Sequence, residues 1–492
     1  MKRKESVFLA LLSFFALLIH GYHPGAEDSE IYLAGVEKVL HPQLFPVGGE
    51  YFQLHAHLTL YPQLIATSVR LTHLPLAWAL FLWHLLSIFL FLFACRILAG
   101  KLFTGARAIW GGVMLTATLL TLPVAGTALY IMDQYVNPRN VTAFAVIFGV
   151  VYVLENKYWL AALFLIFAAA IHPFMTAFAI SYCILLGWMN TSRATTESRV
   201  RTHSSAAAIN FAWSLPLAAI AATPKGYHDA AVLHAYQYFL KWSWYEILGA
   251  VAPLAILWWL HILARRKNML NLDLVCKSLV VYGVFYCLLG VLFSSSGLFE
   301  SIARLQPLRS LFLLYIFLIL IGGGFIAEYI LKNHLLRWLA LFVPLSAGMC
   351  FAQLSLFPAS AHVEWPWATP KNPWVQSFEW IRENTPENAI VAINPLYMGI
   401  HGEDANGLRA IAQRSQLADA GKDAGVVEMF PRIADSWLRE VRAQTGINNF
   451  TLQDFQRLKA EYGVSWVVLQ LPNRAALDCP YANPVVKVCR LP

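Results

Sequence analysis

Apolar residues along this chain gather in long, nearly unbroken runs. Segments 76–93, 144–154, 311–326 and 338–357 are almost free of ionisable side chains. A helix needs about 20 such residues to cross a hydrocarbon core of roughly 30 Å. Lipid offers no partner to an unpaired backbone amide, so runs of this kind predict helices. The pattern places membrane helices near 6–20, 75–97, 108–130, 141–155, 158–171, 173–190, 205–223, 246–264, 275–294, 309–330 and 336–357. That is an all-α polytopic membrane bundle of about 11 transmembrane helices. The segment at 6–20 reads either as a retained first helix or as a signal peptide. No clear small-x-small cleavage site follows it, which favours the retained helix. The divisions among 141–155, 158–171 and 173–190 are the weakest, because each segment is short. One helix more or fewer there reverses the side on which the tail lies.

From 359 onward charged residues become frequent, and Trp365, Trp367, Pro370 and Pro373 mark a linker. The pattern then predicts a helix over 374–384, a short buried strand over 389–394, amphipathic helices over 407–420 and 426–444, and strands over 465–470 and 485–489. Thr451 with Asp454 has the spacing of a capping box, opening a helix that Gly463 closes. The chain thus divides into a membrane domain, 1–358, with a long first outer loop at 21–74, and a small soluble α/β domain, 359–492. No internal repeat interrupts this order, which disfavours transporters built from duplicated halves.

Composition agrees with lipid as the solvent: 58% of the 492 residues are hydrophobic and 13% are charged. The net charge of +8 sits in clusters between the apolar runs: Lys2, Arg3 and Lys4; Arg96, Lys101 and Arg107; Arg193, Arg199 and Arg201; Arg265, Arg266 and Lys267; Lys332 and Arg337. This is the positive-inside pattern of cytoplasmic loops. It speaks against a nucleic-acid partner, whose footprint is a basic patch with interleaved aromatics on a soluble face. The opposite loops are poor in Lys and Arg but hold Glu27, Asp28, Glu30, Asp133, Asp229 and Glu300. The expectation is a multi-pass protein of the bacterial inner (cytoplasmic) membrane, with its N-terminus in the cytoplasm and its tail domain in the periplasm.

That topology gives the acidic residues their interest. Glu27, Asp28 and Glu30 directly follow the first membrane helix, and Asp28 and Glu30 form an acid-x-acid pair. Acids at a membrane edge can bind a metal-pyrophosphate or act as general base toward an acceptor hydroxyl; the plainer reading is N-capping of segment 29–40. Arg139, after Asp133, and Arg309, after Gln306, stand where helices re-enter the membrane. Guanidinium groups there suit phosphate, or else they snorkel or pair with a nearby acid. His172 precedes Pro173 at the outer junction of two apolar segments, either as a functional group or as a satisfied core histidine. His55 and His57 lack further ligands nearby, so a zinc site is weak. The aromatics between Tyr227 and Tyr245 read as an interfacial belt, or as a platform for sugar or lipid. No phosphate-binding loop, nucleophile elbow or dinucleotide fingerprint occurs, which argues against nucleotide-driven work. Cys479 and Cys489, ten positions apart in an extracytoplasmic domain, are expected to form a disulfide; the alternative is two unrelated thiols.

A long first outer loop with an acidic pair just after helix one resembles the GT-C class of membrane glycosyltransferases, which use lipid-linked sugar donors and often end in a soluble extracytoplasmic domain. More narrowly, the chain resembles a set of bacterial membrane proteins of GT-C type. The matching pieces are Ala26-Glu27-Asp28-Ser29-Glu30-Ile31-Tyr32, Asn137-Pro138-Arg139-Asn140, Ile171-His172-Pro173-Phe174-Met175, Leu305-Gln306-Pro307-Leu308-Arg309, Trp380-Ile381-Arg382-Glu383-Asn384-Thr385-Pro386 and Gly402-Glu403-Asp404-Ala405. The resemblance implies a transferase that moves a sugar from a polyprenyl-phosphate-linked donor to an acceptor on the outer face. Asp28 or Glu30 would be the catalytic base, and Arg139 and Arg309, with His172 and Asp133, would hold the departing phosphate. Some members of the class bind a divalent metal, which here would fall on Asp28 and Glu30, although the departure from a plain Asp-x-Asp weakens that implication. A lipid or solute transporter and a non-catalytic cell-envelope scaffold are the rival classes. Convergence of Asp28, Glu30, Arg139, His172 and Arg309 on one outward cavity would favour the enzyme.

Overall fold

A computed structural model describes residues 3–198, 224–294, 304–473 and 475–492. The membrane part begins with α1 (Arg3–His20), followed by three short helices, α2 (Ser29–Leu40), α3 (Glu50–Ala56) and α4 (Tyr61–Thr72). Then come α5 (Leu76–Leu102), α6 (Ala106–Thr118), α7 (Pro138–Leu154), α8 (Tyr158–Ile171), α9 (Pro173–Ser198) and the short α10 (Lys225–Leu233). The last four are α11 (Trp244–Arg266), α12 (Leu270–Ser294), α13 (Leu311–Phe325) and α14 (Leu335–Leu356). Among the described residues, six helical stretches are long and apolar enough to cross a membrane: Leu76–Leu102, Pro173–Arg193, Trp244–Arg266, Leu270–Ser294, Pro307–Leu331 and Leu335–Leu356. Helices α7 and α8 are apolar but shorter. The expected segment at 205–223 lies outside the described residues, as do Arg199, Arg201 and Glu300.

Lipid is written on the outside of these helices. On α14, Leu336 is 79% exposed and Phe351 70%, and Gln353 is the one buried residue. So large an exposed apolar surface suits contact with hydrocarbon rather than water. Where helices meet each other instead, small residues let them approach. A Cβ on Gly111 would strike Ala327, and one on Gly112 would strike the Leu320 carbonyl, so α6 and the α13 stretch cross backbone to backbone.

One expectation for the membrane part needs correction. The helix predicted over 108–130 stops at Thr118, and residues 119–137 run as irregular chain with a single bridge between Pro123 and Tyr130. Pro123 removes a donor and Ala125 and Ala128 take positive φ (45° and 54°), so an apolar composition does not carry the helix through. Within the segment 21–74, between α1 and α5, the chain is mostly helical, with α2, α3 and α4.

The tail forms a five-stranded sheet in the order β2-β1-β3-β5-β4, from β1 (Ile390–Ala392), β2 (Ser415–Gln416), β3 (Trp466–Gln470), β4 (Asp478–Ala482) and β5 (Val486–Arg490). The β2, β1 and β3 pairings are parallel, and β3, β5 and β4 are antiparallel. Around it lie α15 (Pro373–Asn384), α16 (Leu408–Ala412), α17 (Lys422–Met429), α18 (Ala434–Gln444) and α19 (Leu452–Tyr462). The helix expected over 407–420 ends at Gln413, whose φ is 52°, and the chain turns into β2. The helix expected over 426–444 is broken at Pro431, which cannot continue the hydrogen-bond ladder. The capping box of Thr451 and Asp454 and the Gly463 cap are present.

The tail is not an appendage on a free linker. Tyr22 N–H donates to His362 O at 3.0 Å, and Asp404 accepts from the amides of Ala359 and Ser360 at 2.9 and 2.7 Å. One apolar core joins Ile31, Phe45, Tyr51 and Phe52 of the first outer segment to Tyr227 of α10 and to Val426, Val427 and Trp437 of the tail. A disulfide joins Cys479 to Cys489 across β4 and β5. Replacing both cysteines by Ala, or reducing them, is expected to lower the stability of the tail by about 3 kcal/mol on the chain-entropy argument. Thermal denaturation with and without reductant measures this, and an unmoved midpoint would contradict it.

Candidate functional site

The first turn of α2 sets the site. Glu27, at φ 55°, donates its N–H to Ala405 O at 2.7 Å, and Gly25 O accepts from Gly407 N at 2.9 Å. These backbone bonds bind the residues just ahead of α2 to the tail domain. Asp28 occupies the N-cap position, and its own amide donates to the Tyr135 hydroxyl at 3.3 Å. Its carboxylate turns into a cavity of about 770 Å³. The walls come from α2, the irregular 119–137 segment, the N-terminal ends of α7 and α9, the turn before α13 and residues 396–429 of the tail.

Asp28, Asp133, Arg139, His172 and Arg309 all line this one cavity. Asp133 is buried and committed: it accepts from Arg139 Nη2 and, at 2.5 Å, from Asn137 Nδ2. Asn137 also caps α7 by accepting from Asn140 N–H at 2.9 Å, so the cap that starts the helix also orients the Asp133–Arg139 pair. Arg309 is different. Its guanidinium lies over the rings of Tyr236 and Phe174 at 5.6 and 6.0 Å, and its one hydrogen bond among the described residues, to the Tyr236 hydroxyl, is 3.5 Å long. It forms no ion pair among the described residues, and its buried Nε has no partner. His172 closes α8 and presents its ring to the cavity.

Asp28 is half-buried and bonded to Lys422 Nζ at 2.9 Å; the same ammonium holds Glu27. Burial pushes the Asp28 carboxyl up, but Lys422, chiefly, together with Arg139 and Arg309 outweighs it. The group is held well below the usual carboxylate range. His55, across the cavity, is driven down to about 4 by burial, so its imidazole is neutral at physiological pH.

Glu30 does not belong to the cavity. It is fully buried on the other side of α2, where Oε1 accepts from Gln416 Nε2 at 2.7 Å and Oε2 from Ala410 N–H at 3.2 Å, with Arg409 Nη1 at 3.3 Å. Successive helical residues turn by about 100°, so a two-residue spacing points the carboxylates to nearly opposite sides. The acid pair predicted at a wet edge is therefore split: Asp28 to the cavity, Glu30 to the domain contact. This also removes the pair as a place for a divalent metal, because Asp28 already holds an ammonium and Glu30 a guanidinium. Among the described residues, no group of three or more His, Cys, Asp or Glu side chains is placed to hold an ion.

Several cavity residues were not legible in the sequence. Lys422 lies almost 400 positions from Asp28, and Tyr32, His55 and Tyr236 reach the cavity only through packing. For Tyr236, its place in the aromatic stretch 227–245 was a signal. Of that stretch, Trp244 and Tyr245 are exposed in the manner of an interfacial belt, while Tyr236 turns inward.

The Glu30 site yields a pH prediction. Arg409 serves Glu30 and, at 2.9 Å, Asp423, with Asp419 beside them. Burial pushes the Glu30 carboxyl up to about 8, and burial with Asp423 pushes Asp419 up to about 7. A carboxyl whose folded pKa exceeds its unfolded value near 4 takes up a proton on folding. Its contribution is fully present below pH 4 and is lost as the pH rises through about 8. The thermal midpoint is therefore expected to fall between pH 6 and 9, and to fall less in Glu30→Gln. Identical slopes in the two proteins would contradict the assignment. No protein-family model matches the chain, and no curated protein matches it in sequence.

Proposed function

We propose that this chain is a glycosyltransferase of GT-C type, moving a sugar from a polyprenyl-phosphate-linked donor to an acceptor hydroxyl on the outer face of the bacterial cytoplasmic membrane. The observation that carries the reading is the pairing, in one cavity at the ends of the membrane helices, of an ionised carboxylate, Asp28, with a guanidinium, Arg309, that has no acid partner among the described residues. In the transfer, the acceptor oxygen forms a bond to the anomeric carbon of the sugar as the bond from that carbon to the donor phosphate oxygen breaks. Asp28 takes the acceptor proton, and the lipid phosphate leaves with the electron pair. Charge grows on the phosphate as the bond breaks, and fixed positive groups placed there stabilise that charge more than they stabilise the donor. Arg309 fills this role, with Arg139 behind it. Asp133 keeps Arg139 in place, and His172 lines the wall as a neutral neighbour.

The charge at the helix ends supports the orientation in this reading. Helices α5, α7, α9, α11 and the α13 stretch run from the cavity side to ends bearing Lys101, Lys157, Arg193, Arg266 and Lys332. With basic ends in the cytoplasm, the cavity and the tail domain lie in the periplasm.

Asp28→Asn keeps shape and removes the base, so transfer is expected to fall at least about a hundredfold; Arg309→Lys, which keeps charge but loses the fork, is expected to fall less. Mass spectrometry of lipid-linked sugars and envelope glycans, from cells with the wild type, each variant or no protein, reads the product. A product unchanged in Asp28→Asn would end the reading. Reporter fusions near Asp229 and after Pro370 are expected to score periplasmic and a fusion after Arg266 cytoplasmic; the reverse would end the placement.

A further inference from the structure

The acid that faces the cavity is held by the tail domain. Lys422 opens α17, and its place is set by Asp419, whose Oδ1 accepts from the amides of Gly421 and Lys422 at 2.7 and 2.6 Å. One residue on, Asp423 is locked to Arg409, whose guanidinium also meets Glu30. The two cations of the tail therefore grip the first turn of α2 from both sides, Lys422 on Asp28 and Arg409 on Glu30. Gly407 completes the grip: a Cβ there would run into the Glu30 carboxylate, so the tail backbone lies directly on this turn.

On this arrangement, and resting on the transferase reading above, we propose that Lys422 is a positioning residue for the transfer. It holds the Asp28 carboxylate against the cavity wall, so the tail domain is part of the reaction site. Three features support this. Asp28 has no other side-chain partner for its carboxylate among the described hydrogen bonds, whereas Asp133 has two. Burial alone would drive the Asp28 carboxyl toward its neutral form, and Lys422 is the chief opposing charge. An ammonium has three N–H donors, and Glu27 and Asp28 take two, which leaves one for a substrate oxygen in the cavity. A structural ion pair would only dock the domain, and the chain has one for comparison: Arg442 of α18 meets Asp229 of α10 at 3.2 Å on the exposed surface.

The test uses the full-length protein in cells and the envelope product that disappears in Asp28→Asn. Lys422→Gln is expected to lower that product at least about tenfold at equal protein abundance and unchanged thermal midpoint. Lys422→Arg, which keeps the charge, is expected to restore most of it. Arg442→Gln, which breaks the surface pair between tail and α10, is expected to leave the product at the wild-type level. Full product in Lys422→Gln, with none in Asp28→Asn, would overturn the positioning role and leave the transferase reading standing. Wild-type product in Asp28→Asn would overturn both. Should Lys422→Gln lose abundance, the decision passes to Lys422→Arg: folded but inactive protein would overturn the role, and active protein would support it. An Arg442→Gln defect as large as that of Lys422→Gln would show that docking alone is being measured, and would also overturn it.

Discussion

Taking a carboxylate out of water costs several kcal/mol unless a cation or a set of donors meets it. The start of α2 brings Glu27, Asp28 and Glu30 to the contact between the helical bundle and the tail domain, where Glu30 is fully buried and Glu27 and Asp28 are half-buried. Lys422 answers that demand for Glu27 and Asp28, while burial keeps Glu30 largely protonated beside Arg409, whose ion pair is with Asp423. Much else follows from it. The backbone bonds at Gly25 and Glu27, the close approach of Gly407 and the short link to the tail keep the cations where the acids need them. The tail is thereby fixed over the ends of the membrane helices, and the cavity acquires a wall on its outer side.

The cavity lies where two solvents meet, and its lining reflects both. Phe174, Leu233 and Phe357 come from the apolar side, while Asp28, Arg139, Arg309 and Lys422 come from helix starts and their flanking turns. Helix ends are where a membrane protein can place charge cheaply, since the chain is leaving lipid there. Backbone donors at a helix start add positive character for an anion. Arg139 sits in the first turn of α7 behind the Asn137 cap, and Arg309 in the 3₁₀ turn that leads into α13. Among the described residues, one of these arginines has an acid partner and the other has none. That asymmetry makes Arg309 the group with charge to spare for a ligand.

Much of the membrane architecture was legible in the sequence, because hydropathy acts locally: a run of apolar residues becomes a helix whatever its neighbours are. Helices α5, α11, α12 and α14 fall close to where the runs place them. So do the Thr451 capping box and strands β1, β3 and β5 of the tail, which depend on neighbours a few positions apart. The sequence also marked Asp28, Arg139, His172 and Arg309 through a single idea, that charge at a membrane edge needs a reason to be there. Composition failed where backbone geometry intervened. The 119–137 segment is apolar enough to read as helix, yet Pro123 and two left-handed alanines stop it. Only the tertiary structure decided how Asp28 and Glu30 divide their work, because the same two-residue spacing shares a face on a strand and parts on a helix. Only the tertiary structure, too, supplied Lys422 and Arg409, since a buried charge takes its partner from whatever lies nearest in space, and here that partner lies almost 400 residues along the chain.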